Sequence, residues 1–190
     1  MALFIEPCCY DRQLSEIVAS LDSESVPRSV ATFFTSGDLS LDTLISYFVH
    51  ITPSCEVILS LPTLDAKTLY KLDHLLTKDD GTGRRLIRHL DLITTPTADN
   101  FKLITDHLGR HPAERFTATA DQVAFRCLLL QNDHRQFLLT GSMNQHARYA
   151  KQLYTLTTHP DTFADTLHIL RSITRIGRNR NKQNLQQPLT

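Results

Sequence analysis

Apolar residues recur at helical spacing in DRQLSEIVASL, where Leu14, Ile17, Val18 and Leu21 share one face, so the chain is expected to open with an amphipathic helix. The pattern then switches to SVATFFTS, a short β-branched and aromatic run that reads as a strand. Ser40 follows as a candidate N-cap before Leu41, Leu44, Ile45 and Phe48, with Asp42 favourably placed in the first turn. The same order repeats. CEVILSLP reads as a buried strand, and TLDAKTLYKLDHLL sets Leu64, Leu69, Leu72, Leu75 and Leu76 along one helical stripe. DDGTG at 79–83 marks a loop, RHLDLITT a third strand, and FKLITDHLGRHP a helix with Phe101, Ile104 and Leu108 before a Gly-Arg-His-Pro stop. Alternation of this kind predicts a parallel sheet covered by helices.

The second half has a different rhythm. RFTATA, QVAFRCLLL and QFLLTGS are β-like runs separated by only a few residues, and NDHRQ has the polarity of a hairpin loop, so part of this half is expected to be antiparallel. A Gly-Ser-Met-Asn turn and a short helical piece lead to QLYTLTT, one more strand. A closing helix begins near Pro160 and Asp161 and carries Phe163, Leu167, Leu170 and Ile173. No internal repeat is present. The pattern predicts one α/β domain over 29–175, with a mixed, mostly parallel sheet, an antiparallel hairpin and helices on both faces. A helical segment, 1–28, is expected to pack on it, and a basic polar tail, 176–190, to follow.

Composition narrows the function classes. The chain has 190 residues and 41% hydrophobic content, enough for one sizeable core. Twenty basic and twenty acidic residues cancel, so no global field draws the protein to nucleic acid or an anionic membrane. The charge is uneven, however: no acid follows Asp165, whereas Arg171, Arg175, Arg178, Arg180 and Lys182 do. That segment reads either as a solvated terminus or as an arm for phosphate backbones. Cys8, Cys9, Cys55 and Cys127 form no ligand spacing, and the nine histidines are scattered, so neither a metal site nor a cofactor is expected. Cys127 reads as a small core residue, and Ser36-Gly37 as a strand-to-helix turn. The first residues lack the features of a signal peptide and no stretch is long enough to span a bilayer, so a reducing cytoplasm is the default compartment.

The candidate chemistry lies in FLLTGSMNQHARYA, residues 137–150, where an apolar run meets Gly141, Ser142, Met143 and Asn144. A hairpin running into G-S-x-N and then into a strand and a helix resembles the phospholipase D superfamily, and the match in element order covers most of residues 29–175. The superfamily signature is H-x-K, four residues, then D, followed after a loop by G-S-x-N. Here the second half is present and the first is not: aligning QVAFRCLLLQ puts Ala124 at the histidine, Arg126 at the lysine and Gln131 at the aspartate. No slip within that strand yields a histidine two residues before a lysine.

The resemblance implies a fold and a consequence. In the superfamily, one histidine attacks phosphorus and a second protonates the leaving oxygen, so two motif copies meet at one site. A single-copy chain is therefore expected to form a homodimer. Ala124 has no nucleophile, while Arg126 supplies a permanent cation with donors suited to phosphate. The expected phosphate-binding set is Arg126, Ser142, Asn144 and His146, in a catalytically degenerate domain that binds a phosphate-bearing ligand or nucleic acid. Two alternatives stand beside it: an active phosphodiesterase or nuclease with a site rearranged around His146, and a non-enzymatic scaffold that keeps only the fold.

Overall fold

The computed structural model describes residues 3–5, 9–22, 29–35, 39–143 and 151–184, with side chains for all of these except 3–5 and 175–184. Among the described residues, eight strands form one sheet. In chain order the elements are β1 (Leu3–Ile5), α1 (Tyr10–Leu21), β2 (Val30–Thr35), α2 (Leu41–Ile51), β3 (Cys55–Leu61), α3 (Ala66–Thr77), β4 (Ile87–Thr94), α4 (Ala98–Leu108), β5 (Phe116–Ala120), β6 (Cys127–Gln131), β7 (Gln136–Gly141), β8 (Gln152–Thr157) and α5 (Pro160–Asn184). The order across the sheet is β1-β2-β8-β7-β6-β3-β4-β5.

Pairing is parallel for β1 with β2, β3 with β4 and β4 with β5, and antiparallel at the four other junctions. Only β6 and β8 therefore run against the rest. β3 is near-continuous in apolar residues because it is central and both its faces are covered: Val57 and Leu59 enter one core, Ile58 the other. The larger core lies under α1 to α4 and includes Leu14, Leu44, Phe48, Leu69, Leu72, Phe33, Phe137 and Tyr154. Rings of Phe33 and Tyr154 stack at 5.6 Å across the β2–β8 pair, a cross-strand contact that helps fix its register. The smaller core, around Ile58, Ile93, Cys127, Leu129 and Leu138, is closed by Phe163 and Leu170 of α5. Helices thus cover both faces, unequally.

Three details differ from the expectations. The first residues add an edge strand, β1, a three-residue segment too short for periodicity to reveal. The run QVAFRCLLL is strand only from Cys127, because residues 122–126 are spent on crossing the sheet edge. The segment expected as a tail from 176 is helical backbone to Asn184 as the continuation of α5. The Ser36-Gly37 turn and the helical piece after Met143 lie outside the described residues.

Candidate phosphate-binding site

Strands β2, β3, β4, β5 and β7 all end at one edge of the sheet, and β6 and β8 begin there. Helices and loops after parallel strands gather at such an edge, which is where open α/β sheets bind ligands. After β5, residues 121–126 must pass the ends of β4 and β3 to reach β6. They are pinned on the way: the Asp121 amide donates to the Thr94 carbonyl at 3.0 Å, and the Ser60 hydroxyl donates to the Phe125 carbonyl at 2.8 Å. That crossing delivers half-buried Arg126 to the start of β6, opposite the end of β7.

Arg126 and Ser142 meet there. An Nη1 hydrogen of the guanidinium donates to the Ser142 carbonyl, using one of the five donors an arginine carries. Ser142 itself is tied to β8, its amide donating to the Leu153 carbonyl at 3.1 Å and its Oγ accepting from the Leu153 amide at 3.2 Å. The Ser142 amide is thus committed to the sheet, whereas the hydroxyl proton is not needed by the Leu153 contact. Next, Met143 sits in the left-handed region at φ 36°, uncommon for a side chain with Cβ, and is 2% exposed within the larger core. Core packing therefore fixes the backbone of this turn. Asn144 and His146 lie outside the described residues.

The neighbouring loops are held by a residue that sequence patterning did not single out. Asn100 of α4, 3% exposed, accepts from the Leu64 amide at 3.1 Å. Its Nδ2 donates to the carbonyls of Pro62 and Thr95 at 3.0 and 2.9 Å and to Thr94 Oγ1 at 2.9 Å. The β3–α3 and β4–α4 connections are locked together as a result. On the other side of the turn, Tyr154 Oη donates to Gln152 Oε1 at 2.8 Å, and burial pushes the Tyr154 hydroxyl above its usual range, so it stays a neutral donor. Lys151, exposed at the head of β8, is a further cation at this edge that the motif reading passed over.

No described histidine lies in the connections at this edge, 62–65, 95–97, 121–126, 142–143 and 151. Among the described residues there is also no group of His, Cys, Asp and Glu able to hold a metal ion. Burial pushes the thiols of Cys55 and Cys127 up to about 12, which makes both packing groups rather than nucleophiles. Position 124 holds an exposed alanine. The described part of the edge thus brings the Arg126 guanidinium and the Ser142 hydroxyl together, with no histidine beside them.

The architecture has solved counterparts. Nuc from Salmonella typhimurium, a phospholipase D family member, superposes with a TM-score of 0.53 at 11% identity, covering 77% of this chain and 94% of Nuc. This chain has a phospholipase D-like fold. NucT from Helicobacter pylori gives 0.50 at 10% identity, over 77% of this chain and 96% of NucT. Polyphosphate kinase from Porphyromonas gingivalis gives 0.53 at 14% identity, over 80% of this chain. The phospholipase D-like chain spans only 27% of that kinase. No protein-family model matches the sequence, and no curated protein does. Among the described residues, no helix is long and apolar enough to cross a membrane.

Proposed function

We propose that this phospholipase D-like domain binds a phosphate-bearing ligand at the strand edge and no longer hydrolyses it. The observation that carries the reading is the reach of the Arg126 guanidinium to the Ser142 carbonyl across the β6–β7 edge, with alanine at position 124. Arg126 would neutralise the anion, and the Ser142 hydroxyl, Asn144 and His146 would supply further donors. Without a nucleophile, bound phosphate has no covalent route, and loss of such a group removes many orders of magnitude of rate.

Titration with pyrophosphate or a nucleotide, run beside an assay on bis-p-nitrophenyl phosphate, tests both halves. Binding without turnover is expected. Arg126→Gln should weaken it about 10- to 100-fold, the scale of a lost charge-assisted hydrogen bond of about 1.5–3 kcal/mol. Turnover comparable to a working superfamily enzyme, abolished in His146→Ala, would instead establish the rearranged phosphodiesterase. Neither binding nor turnover would leave a scaffold. The resemblance also makes a homodimer the expected assembly, with the two G-S-x-N motifs facing across a two-fold axis. A monomer mass by light scattering at high concentration would rule that assembly out.

A further inference from the structure

Helix α5 closes the smaller core with Phe163 and Leu170 and then continues as helix to Asn184. Its sequence divides at Thr174: the first part alternates apolar and polar positions, and the second, TRIGRNRNKQN, holds Ile176 as its one large apolar residue. Helical backbone converts the basic run into a pattern. At about 100° per residue, positions 171, 175, 178 and 182 fall within an arc of about 60°, whereas 180 falls on the opposite side. The stripe is Arg171, Arg175, Arg178 and Lys182. Its first member is anchored, since Arg171 Nη2 lies 3.3 Å from Glu56 Oε2, at the start of β3. Glu56 marks the sheet edge opposite to the one where Arg126 lies.

We infer that the distal half of α5 is a docking surface for the phosphate backbone of a nucleic acid, separate from the strand-edge site and independent of it. Four considerations favour this occupant. The stripe is about 16 Å long at 1.5 Å per residue. A nucleic-acid strand offers a phosphate about every 3.4 Å of its axis, so several fall within reach. The major groove of a duplex admits an α-helix. The segment contains no acid to compete for the cations. An anionic membrane surface is the rival polyanion, but a helix that lies in a membrane interface needs an apolar face to bury, and one isoleucine does not make one.

The test uses the full chain and a short fluorescent DNA duplex of mixed sequence, with affinity read by anisotropy across about 50–200 mM salt. Because Arg171 is shared with Glu56, the stripe should contribute about three phosphate contacts, giving a slope of log K against log salt near −3. The combined variant Arg175→Gln, Arg178→Gln, Lys182→Gln should bring that slope close to zero and weaken binding at least tenfold. Arg180→Gln, on the opposite side, should leave it unchanged. Glutamine keeps helix propensity close to that of lysine and arginine, so circular dichroism should match the parent. If the combined variant loses helix, the three single variants report the slope, each expected to reduce it by about 0.9. An unchanged slope in the stripe variants overturns the inference. So does a loss in Arg180→Gln equal to that at a stripe position, or a slope abolished by Arg126→Gln and kept by the stripe variants. Capture by phosphatidylserine vesicles without any duplex binding would assign the stripe to membranes and overturn it as well.

Discussion

Gly141 stands where β7 gives way to the turn, and a Cβ built on it would lie 2.3 Å from the Leu153 carbonyl oxygen and 3.1 Å from the Tyr154 Cα. Both obstacles are backbone of the adjacent strand, so no side-chain rotation relieves them. Gly141→Ala should force β7 and β8 apart at their shared end and cost about 1–3 kcal/mol, the range of an overpacked core. A lowered urea midpoint with unchanged m-value checks this, and a fully stable variant would show that the strands can separate there without loss. The consequence for the motif is direct. The glycine of G-S-x-N is required by close approach of two strands, and the serine is required at least partly by its two contacts with Leu153. Anion binding must therefore be judged on Arg126, whose guanidinium the fold brings to the turn but whose charge no described strand contact needs.

At the scale of elements, patterning located the helices and most strands because each carried its own signal. Leu14, Ile17, Val18 and Leu21 are all buried on α1, and Leu69, Leu72, Leu75 and Leu76 all on α3. What patterning did not reveal was arrangement. Nothing in RFTATA says that β5 lies parallel to β4, and nothing in QLYTLTT says that β8 pairs with both β2 and β7. Pairing depends on where connections run, which is a non-local property. Of the candidate site, Arg126 and Ser142 lie within hydrogen-bond reach while Asn144 and His146 fall outside the described residues, and Asn100 gave no signal, because a buried asparagine on α4 looks in sequence like any polar helix position. Its removal should matter. Asn100→Ala would leave the Leu64 amide without its acceptor in a buried setting, at about 1–3 kcal/mol, and would take one of two donors from the Pro62 carbonyl, which keeps Thr94 Oγ1 at 3.4 Å. The expected result is a loss of about 1–3 kcal/mol by chemical denaturation, together with faster hydrogen exchange at Leu64. Unchanged exchange at that amide would mean that the two connections are held by something else.

The described residues form two cores of different size, and α5 is the helix that closes the smaller one. Phe163 and Leu170 are 2% and 1% exposed, with Leu167 and Ile173 packed against the same cluster. Burying a large apolar side chain contributes about 1.5–3 kcal/mol, so these four together supply about 5–9 kcal/mol, as an upper estimate. Net stabilities of domains are about 5–15 kcal/mol. A chain ending at His159 should therefore lose cooperative unfolding and aggregate, since Ile58, Ile93, Leu129 and Leu138 would face water on a bare sheet. A chain ending at Thr174 keeps all four contacts and should melt within a few degrees of the full chain. These two truncations separate the roles of one helix, because the second retains the core contacts while removing Arg175, Arg178 and Lys182. Cooperative melting of the shorter chain would show that the larger core under α1 to α4 is self-sufficient, and that the helix is present for its charges alone.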